Sequence, residues 1–470
     1  ELKNIDGHLC ITASPYCSGY SEVHCKSAVV SWGTDPFEVA ERAVQRGFEV
    51  LALKRPGKQH LSLSPIFDYL GWCSWDSQGV HVNSGELYQK AQELNEKNIP
   101  VRWVLVDDGW YPENEQRQIS DFYEKTSQFP EGLAALVQRM KQTYGMKYMG
   151  IWECMSGGWR GIDPNGKIAQ EMPDIVAPLK NKILFPRVDE PGSFAFWNRR
   201  HEYLSACGFD FVKTDVECNI ETCTRGSAAV GAAARGMQYG LEGSVGLFFG
   251  GACIHCTGMG QENLWNRPIG MVSRNSEDFL HNSMASMHKF VNDNIYNSFY
   301  HSHFTTTDWD MMWSTGSPTV QMNIVLHAIS GGPVYLSDPL GMSNPQTVLP
   351  FCMSDGQILK CDAFAQPTED RLFRDPRSEP IALKAWNKSG ASGVLGVFHT
   401  NASESIITDS FCPSDIPHLL GERFLVYCWE EKAVQVCSRT DRVPFELTPN
   451  SAKLYIIAPY AHGIAVLGNI

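Results

Sequence analysis

The chain has 470 residues, of which 43% are hydrophobic and 19% are charged, a balance typical of a globular protein with two or three well-packed domains. Its net charge of −13 and the lack of a Lys/Arg-rich run argue against nucleic acid and anionic membranes as partners. No apolar run reaches the roughly 18 residues that a membrane-spanning helix needs, so we expect no membrane partner.

The fifteen cysteines are odd in number and follow no repeating spacing. This pattern argues against a disulfide framework and favours a reducing compartment such as the cytoplasm. Cys253 and Cys256 form the only C-x-x-C pair in the sequence. Because a structural zinc site needs a second such pair, we expect buried thiols here and no metal.

The first 60 residues contain short predicted strands and a predicted helix over 36–47. They hold too little apolar surface for a sizeable core of their own. We therefore predict an N-terminal segment over residues 1–60 rather than an independent domain.

From about residue 66 onward, short apolar runs end in polar or aromatic residues and are separated by helix-like stretches. The runs cover residues 69–75, 101–110, 147–154, 209–217, 244–251, 269–278, 303–312 and 332–338. The predicted helices cover residues 83–98, 131–144, 195–206, 221–240, 277–292 and 318–329. Eight buried strands that alternate with helices indicate a parallel sheet closed into a (β/α)8 TIM barrel, which we place over residues 61–345.

Beyond about residue 345 the apolar residues alternate with polar ones, and turn residues separate the runs. The predicted strands cover residues 393–400, 422–429, 432–438, 443–449 and 452–459. This texture predicts a C-terminal antiparallel β-sandwich domain over residues 346–470.

The stretch GFDFVKTDVEC, residues 208–218, places Lys213 and Asp215 at the end of a predicted barrel strand. A parallel strand is buried on both faces, so these charges are unusual there. Residues two apart on a strand point the same way, here into the mouth of the barrel. A lysine beside a carboxylate lowers the pKa of that carboxylate, which suits a nucleophile, although an ion pair that only seals the barrel is an alternative.

Other predicted strand ends bring carboxylates, one arginine and several tryptophans to the same mouth. They are Trp72, Trp75, Asp107, Asp108, Trp110, Trp152, Glu153, Cys256, Arg274, Glu277, Asp278, Asp308, Trp309, Asp310 and Asp338. Two carboxylates in different environments, hydroxyl-binding groups and aromatic walls indicate glycoside cleavage. The sequence contains no P-loop, no G-x-S-x-G nucleophile elbow and no His spacing of a metal hydrolase.

Several motifs resemble glycoside hydrolase family 36, in particular the branch of raffinose synthases, seed imbibition proteins and bacterial α-galactosidases. They are GWCSWD (71–76), VLVDDGW (104–110), VKTDVEC (212–218), RNSEDF (274–279), TDWDMM (307–312) and GGPVYLSD (331–338). The resemblance runs in chain order over roughly residues 35–400. It implies a retaining double displacement on α-galactosides that needs no metal or organic cofactor.

The resemblance also implies roles for individual residues. Asp215 matches the nucleophile of the family, and Asp278 matches its acid/base, with the neighbouring Glu277 as a rival. The residues expected to bind the sugar are Trp75, Asp107, Asp108, Trp152, Lys213, Cys256, Arg274, Asp308 and Asp310. For Trp72 and Trp110, core packing beneath the mouth is an alternative.

Within these expectations we favour hydrolysis of terminal α-galactosides of raffinose-type oligosaccharides or glycoconjugates. A galactosyltransferase of the raffinose or stachyose synthase type, an α-N-acetylgalactosaminidase and an inactive carbohydrate-binding homologue are the alternatives. The expected partner is a small carbohydrate, and the resemblance also suggests a homo-oligomer. Family members carry a large β-sandwich domain before the barrel, whereas residues 1–60 alone precede it here, so details of substrate recognition are expected to differ.

Overall fold

The computed structural model describes residues 2–53, 64–179, 182–270 and 272–467. The chain opens with strands β1 (Leu2–Ile5) and β2 (His8–Ile11), which pair antiparallel, and with helix α1 (Pro36–Val50). Asp35 caps α1 by accepting the backbone N–H groups of Phe37 and Glu38. The helix predicted over 36–47 is therefore confirmed, while the predicted boundary at residue 60 lies outside the described residues.

A parallel sheet around the core forms the barrel. Its strands are β3 (Gly71–Cys73), β4 (Trp103–Val106), β5 (Tyr148–Cys154), β8 (Phe211–Asp215), β9 (Cys253–His255), β10 (Val272–Arg274), β11 (Thr306–Asp308), β12 (Met311–Met312) and β13 (Tyr335–Leu336). β11 pairs with β10, and β12 pairs with β13, which in turn pairs with β3. β11 and β12 are thus two halves of one strand, interrupted at Trp309 and Asp310, and eight strand positions form a ring.

Helices pack around this ring, and a small hairpin of β6 (Val176–Pro178) and β7 (Leu184–Pro186) lies in one of the connections. The long helices are α3 (Ser84–Glu96), α4 (Gly132–Gln142), α6 (Glu190–Ala206), α8 (Val230–Phe249), α10 (Met284–His301) and α11 (Val320–Ser330). The short ones are α2 (Trp75–Gln78), α5 (Lys167–Glu171), α7 (Asn219–Thr224), α9 (Gln261–Leu264) and α12 (Pro345–Val348). Each of the six predicted helices has a counterpart, but two differ in extent. The helix predicted over 277–292 begins at Met284, because residues 277–283 form a loop, and the one predicted over 221–240 is divided into α7, which ends at Thr224, and α8, which begins at Val230.

One predicted strand, over residues 244–251, is wrong. This apolar run forms the last turns of α8, which ends where Gly250 adopts the left-handed conformation with φ +60°. The fifth barrel strand is β9 instead. A buried helix end and a buried strand show the same continuous apolar run, so periodicity could not separate them.

Aromatic rings fill the barrel interior. The ring of Trp103 lies 5.5 Å from that of Phe211 and 5.2 Å from that of Tyr335, measured between ring centroids. Glycines on the neighbouring strands make room for them, since a Cβ atom on Gly71 would lie 2.1 Å from the Trp103 ring. The barrel interior is therefore a packed core.

The C-terminal part is antiparallel. Its strands are β14 (Gln366–Pro367), β15 (Leu383–Ser389), β16 (Ser392–Phe398), β17 (Ile407–Phe411), β18 (Arg423–Cys428), β19 (Ala433–Ser438), β20 (Val443–Leu447), β21 (Ala452–Ala461) and β22 (Ile464–Ala465). One sheet has the order β14-β15-β16-β21-β18-β19, and β17 pairs with β20 in a second sheet. Apolar side chains from both sheets share one core, so the predicted β-sandwich is confirmed.

The five strands predicted in this part are found within two residues of their predicted ends. The division into residues 1–60, 61–345 and 346–470 stays a prediction. Among the described residues, no helix combines the length and apolar character needed to cross a membrane.

Candidate active site

Lys213 and Asp215 both lie on β8 and face the barrel interior. The Lys213 ammonium donates to Oδ2 of Asp107, which directly follows β4, at 2.8 Å. Burial lowers the pKa of Lys213, but the negative charge of Asp107 and further acidic neighbours outweigh it and raise this pKa well above its usual value. The direct partner of the lysine is thus Asp107 rather than Asp215, which corrects the pairing suggested by the sequence.

Asp215 is buried and held by three hydrogen-bond donors. Its Oδ1 accepts the backbone N–H of Val216 at 2.6 Å and the hydroxyl of Thr257 at 3.0 Å. Its Oδ2 accepts the indole N–H of Trp152 at 3.2 Å. Val216 has φ +59°, which is strained for a β-branched residue. The strain sits directly after the carboxylate, which the three donors fix in one orientation.

The two carboxylate oxygens of Asp108 differ in their hydrogen bonding. Its Oδ2 accepts from Arg117 at 2.6 Å and from the indole N–H of Trp159. Its Oδ1 is buried and accepts no hydrogen bond from any described residue. Burial raises the pKa of Asp108 despite the bond from Trp159 and the charge of Arg117. A buried acceptor without a partner is costly, so this oxygen is suited to a ligand hydroxyl.

Stacked aromatic rings form one wall of the site. Trp152 lies between Trp159, at 5.6 Å, and Tyr111, at 6.2 Å, measured between ring centroids. Trp75, the first residue of α2, is half-buried at the mouth. Trp75 and Trp159 are the partly exposed rings of this group, and a flat accessible ring can pack against the apolar face of a sugar.

Arg274, at the end of β10, connects three other predicted site residues. It donates to Asp278 Oδ1 at 2.9 Å and to the Cys256 sulfur at 3.5 Å, and it pairs with Asp310 Oδ1 at 2.9 Å. Arg274 is buried, whereas the Asp278 side chain is 64% exposed. The charge of Arg274 lowers the pKa of Asp278 below its ordinary value.

The two candidates for the acid/base point in different directions. Glu277 pairs with Lys289 on α10 at 3.1 Å, and its side chain is 76% exposed. Asp278 lies against the buried Arg274 at the mouth. This geometry favours Asp278 over Glu277.

Asp308 and Asp310 lie behind Arg274 and are fully buried. The Tyr335 hydroxyl, which has one proton to donate, lies 3.0 Å from Asp308 Oδ2 and 3.2 Å from Asp310 Oδ1. Burial raises the pKa of Asp308 to about 6. Asp310 therefore supports Arg274 directly, whereas Asp308 contacts Tyr335 and the backbone N–H of Asp310; direct contact of either residue with a sugar stays a prediction.

Some of the predicted strand-end residues do not line the mouth. Glu153 faces the opposite way from Trp152 and accepts from Thr214 at 2.7 Å, with His201 of α6 at 3.0 Å. Neighbouring residues alternate faces along a strand, which explains this placement. Trp72 and Trp110 are fully buried, in agreement with the core packing given as the alternative for them, and Trp309, expected at the mouth, is fully buried as well.

Several residues that contact the site were not predicted from the sequence, among them three in loops. Arg117, Trp159 and Thr257 come from the loops that follow β4, β5 and β9. Trp159 lies five residues beyond the end of β5, outside the predicted strand over 147–154. The polar and aromatic residues in these loops could have indicated a role in the site, because the active sites of such barrels are built from the loops that follow the strands.

Comparison with known proteins identifies the family of this chain. The family model described as "Raffinose synthase or seed imbibition protein Sip1" matches residues 5–128 and 111–407. "Probable galactinol–sucrose galactosyltransferase 6" of Arabidopsis thaliana is 28% identical over 408 residues, covering 79% of this chain and 54% of that protein. The galactinol–sucrose galactosyltransferase of Oryza sativa subsp. japonica is 26% identical over 508 residues, covering 91% of this chain and 63% of that protein. The chain thus spans between about half and two thirds of the length of these relatives.

Solved structures share the fold. A GH27 β-L-arabinopyranosidase from Geobacillus stearothermophilus has a TM-score of 0.61 and 15% identity, covering 87% of this chain and 100% of that one. A GH36 α-galactosidase from the same organism, in complex with raffinose, has a TM-score of 0.61 and 12% identity, covering 91% of this chain and 59% of that one. At these identities the likeness concerns the fold alone. With its model matched over most of the chain, the family is clear: this protein belongs to the raffinose synthase or seed imbibition protein family.

Proposed function

We propose that this protein transfers α-galactosyl groups from an α-galactoside donor to a sugar hydroxyl by double displacement. The observation that carries the proposal is that the site contains two aspartates in different environments. Asp215 is buried and rigidly held, and Asp278 is exposed and bound to Arg274. The names of the relatives, which are galactosyltransferases acting with galactinol and sucrose, support a sugar as acceptor. They favour transfer over the hydrolysis that the sequence analysis preferred.

In the first step Asp215 attacks the anomeric carbon of the donor, while Asp278 protonates the departing oxygen. The C1–O bond of the donor breaks, and a galactosyl ester on Asp215 forms. In the second step Asp278 takes the proton of the acceptor hydroxyl, whose oxygen attacks C1 and releases Asp215 as a carboxylate. Two inversions give net retention of the α configuration.

Polar groups on the opposite side of the site would hold the galactosyl ring. The charged pair of Lys213 and Asp107 offers both donors and acceptors, and the unpaired Oδ1 of Asp108 offers an acceptor. The free Oδ1 would recover a hydrogen bond when a sugar hydroxyl binds, so it contributes to affinity and orientation.

Hydrolysis is the second candidate, because water can attack the same intermediate in place of a sugar. An α-N-acetylgalactosaminidase would need additional space at C2, near Arg274 and Cys256. An inactive binding protein would not need the strained backbone at Val216 next to a carboxylate.

The test measures nitrophenol release from nitrophenyl α-galactoside and from the corresponding α-N-acetylgalactosaminide, with and without sucrose. We expect turnover of the galactoside and a galactosylated sucrose whose share rises with sucrose concentration. If free galactose is the sole product at every sucrose concentration, the protein is a hydrolase rather than a transferase. If only the acetamido sugar is turned over, the protein is specific for N-acetylgalactosamine at C2. No release from either donor by the folded protein would contradict the proposal, and Asp215→Asn serves as the inactive control.

A further inference from the structure

A second cluster of polar and aromatic side chains lies at the barrel mouth, outside the residues described so far. Its members are Asp76 on α2, which follows β3, and His281, Trp313 and Ser337, which follow β10, β12 and β13. Asp76 Oδ2 accepts from the Trp313 indole at 2.8 Å and from the Ser337 hydroxyl at 2.6 Å. The His281 ring lies flat on Trp313, with centroids 3.8 Å apart and planes 7° apart. The bonds to Asp76 and the ring contact give the cluster a defined shape.

The cluster lies on the Asp278 side of the mouth. His281 follows Asp278 by three residues, and the backbone N–H of Phe279 between them donates to Asp310 Oδ2 at 2.8 Å. Asp310 pairs with Arg274, which binds Asp278. Trp313 follows Asp310 by three residues, so a short chain of contacts connects the cluster to the exposed carboxylate.

Two features of the cluster remain open to a ligand. Asp76 Oδ1 accepts no hydrogen bond from the part of the chain that the structure describes, although the side chain is only 10% exposed. The His281 side chain is 32% exposed, so one face of its ring covers Trp313 while part of it contacts solvent. A flat ring beside a free carboxylate oxygen matches the apolar face and the hydroxyl groups of a sugar.

We propose that Asp76 and the His281–Trp313 stack form the subsite that binds the sugar acceptor. The inference rests on the proposed function, because the leaving group departs and the acceptor arrives on the side of the acid/base carboxylate. The acceptor ring packs on His281, and Asp76 Oδ1 accepts one of its hydroxyl protons. The acceptor oxygen then lies beside Asp278, which takes its proton as the bond from C1 to that oxygen forms and the bond from C1 to Asp215 breaks.

The charge of this subsite selects for a neutral acceptor. Asp76 is close enough to Asp310 that the negative charge of Asp310 raises the pKa of Asp76, in addition to the larger effect of burial. An acceptor that carried a carboxylate or phosphate would face the Asp76 carboxylate, whereas the buried Asp310 is already paired with Arg274. A neutral di- or oligosaccharide can instead donate a hydroxyl proton to Asp76 while its ring packs on His281.

The test compares products at a sucrose concentration below saturation, with nitrophenyl α-galactoside as donor. The readout is the ratio of galactosylated sucrose to free galactose. We expect His281→Ala to lower this ratio about tenfold, as the loss of one aromatic contact of about 1.4 kcal/mol would. His281→Phe keeps a flat ring and should retain most of the ratio, and Asn282→Ala, at the exposed neighbouring position, should leave it unchanged.

The outcomes separate the two proposals. A ratio in His281→Ala equal to that of the unsubstituted protein would overturn the subsite while leaving galactosyl transfer intact. A ratio that falls equally in His281→Phe and His281→Ala would also overturn it, since ring stacking would then not be the cause. No nitrophenol release by the unsubstituted protein would overturn the proposed function, and with it the assignment of an acceptor subsite.

Discussion

Lys213 Nζ lies 2.8 Å from Asp107 Oδ2, and the two side chains are only 5% and 3% exposed. A buried ion pair of this kind leaves an uncompensated charge when one partner is removed. We expect Lys213→Met to lower the free energy of unfolding by about 3–5 kcal/mol, and Asp107→Asn to act in the same direction. The double variant should cost clearly less than the sum of the two, because neither charge is left alone.

Urea unfolding of the four proteins measures this coupling. Lys453→Met is the matched control, because Lys453 pairs with the exposed Glu431 at 2.5 Å. It should cost no more than about 1 kcal/mol. Additive costs for the single variants would show that the two charges do not depend on each other.

The same pair shows what the sequence could and could not predict. Alternation along a strand predicted that Lys213 and Asp215 point into the barrel, and both do. Alternation says nothing about the partner across the barrel, so the Asp107 contact, supplied by β4, was missed. The orientation of loop side chains is harder still to predict, because residues 277–283 show neither the strand nor the helix periodicity. The choice between Glu277 and Asp278 therefore needed the structure, which places one on Lys289 and the other on Arg274.

The protonation of Asp278 should control the pH dependence. Arg274 lowers the pKa of Asp278, so the free enzyme carries the proton that the first step needs only at acidic pH. We expect kcat/KM for a donor with a sugar leaving group to fall as pH rises above this lowered pKa. A nitrophenyl donor, whose leaving group needs little protonation, should respond less.

Initial rates for both donors between pH 3 and pH 8 check this expectation. Arg274→Gln removes the neighbouring cation and should move the fall in kcat/KM to higher pH. Identical profiles for the two donors would mean that a group other than the proton donor determines the pH dependence.

Asp308 should make stability depend on pH in the opposite sense to an ordinary salt-bridged aspartate. Its pKa is raised to about 6, because burial disfavours its ionised form. Its contribution is therefore fully present below the pKa of the unfolded chain and is lost as pH rises through about 6. Asp308→Asn cannot ionise, so its stability relative to the unsubstituted protein should improve by about 3 kcal/mol between pH 4 and pH 7.5.

Urea unfolding at several pH values measures this difference. Asp6→Asn, in the exposed turn between β1 and β2, should show no comparable change. A stability difference between Asp308→Asn and the unsubstituted protein that is the same at every pH would mean that Asp308 has an ordinary pKa in the folded chain.

Chemical rescue of Asp215→Gly tests the double displacement most directly. Removal of the carboxylate should lower the rate of nitrophenol release at least about 1,000-fold, with the circular dichroism of the fold retained. Azide should then enter the vacated space, attack C1 from the face that Asp215 used, and restore turnover with β-galactosyl azide as product. If azide fails to restore turnover, or if the product has the α configuration, Asp215 is not the nucleophile.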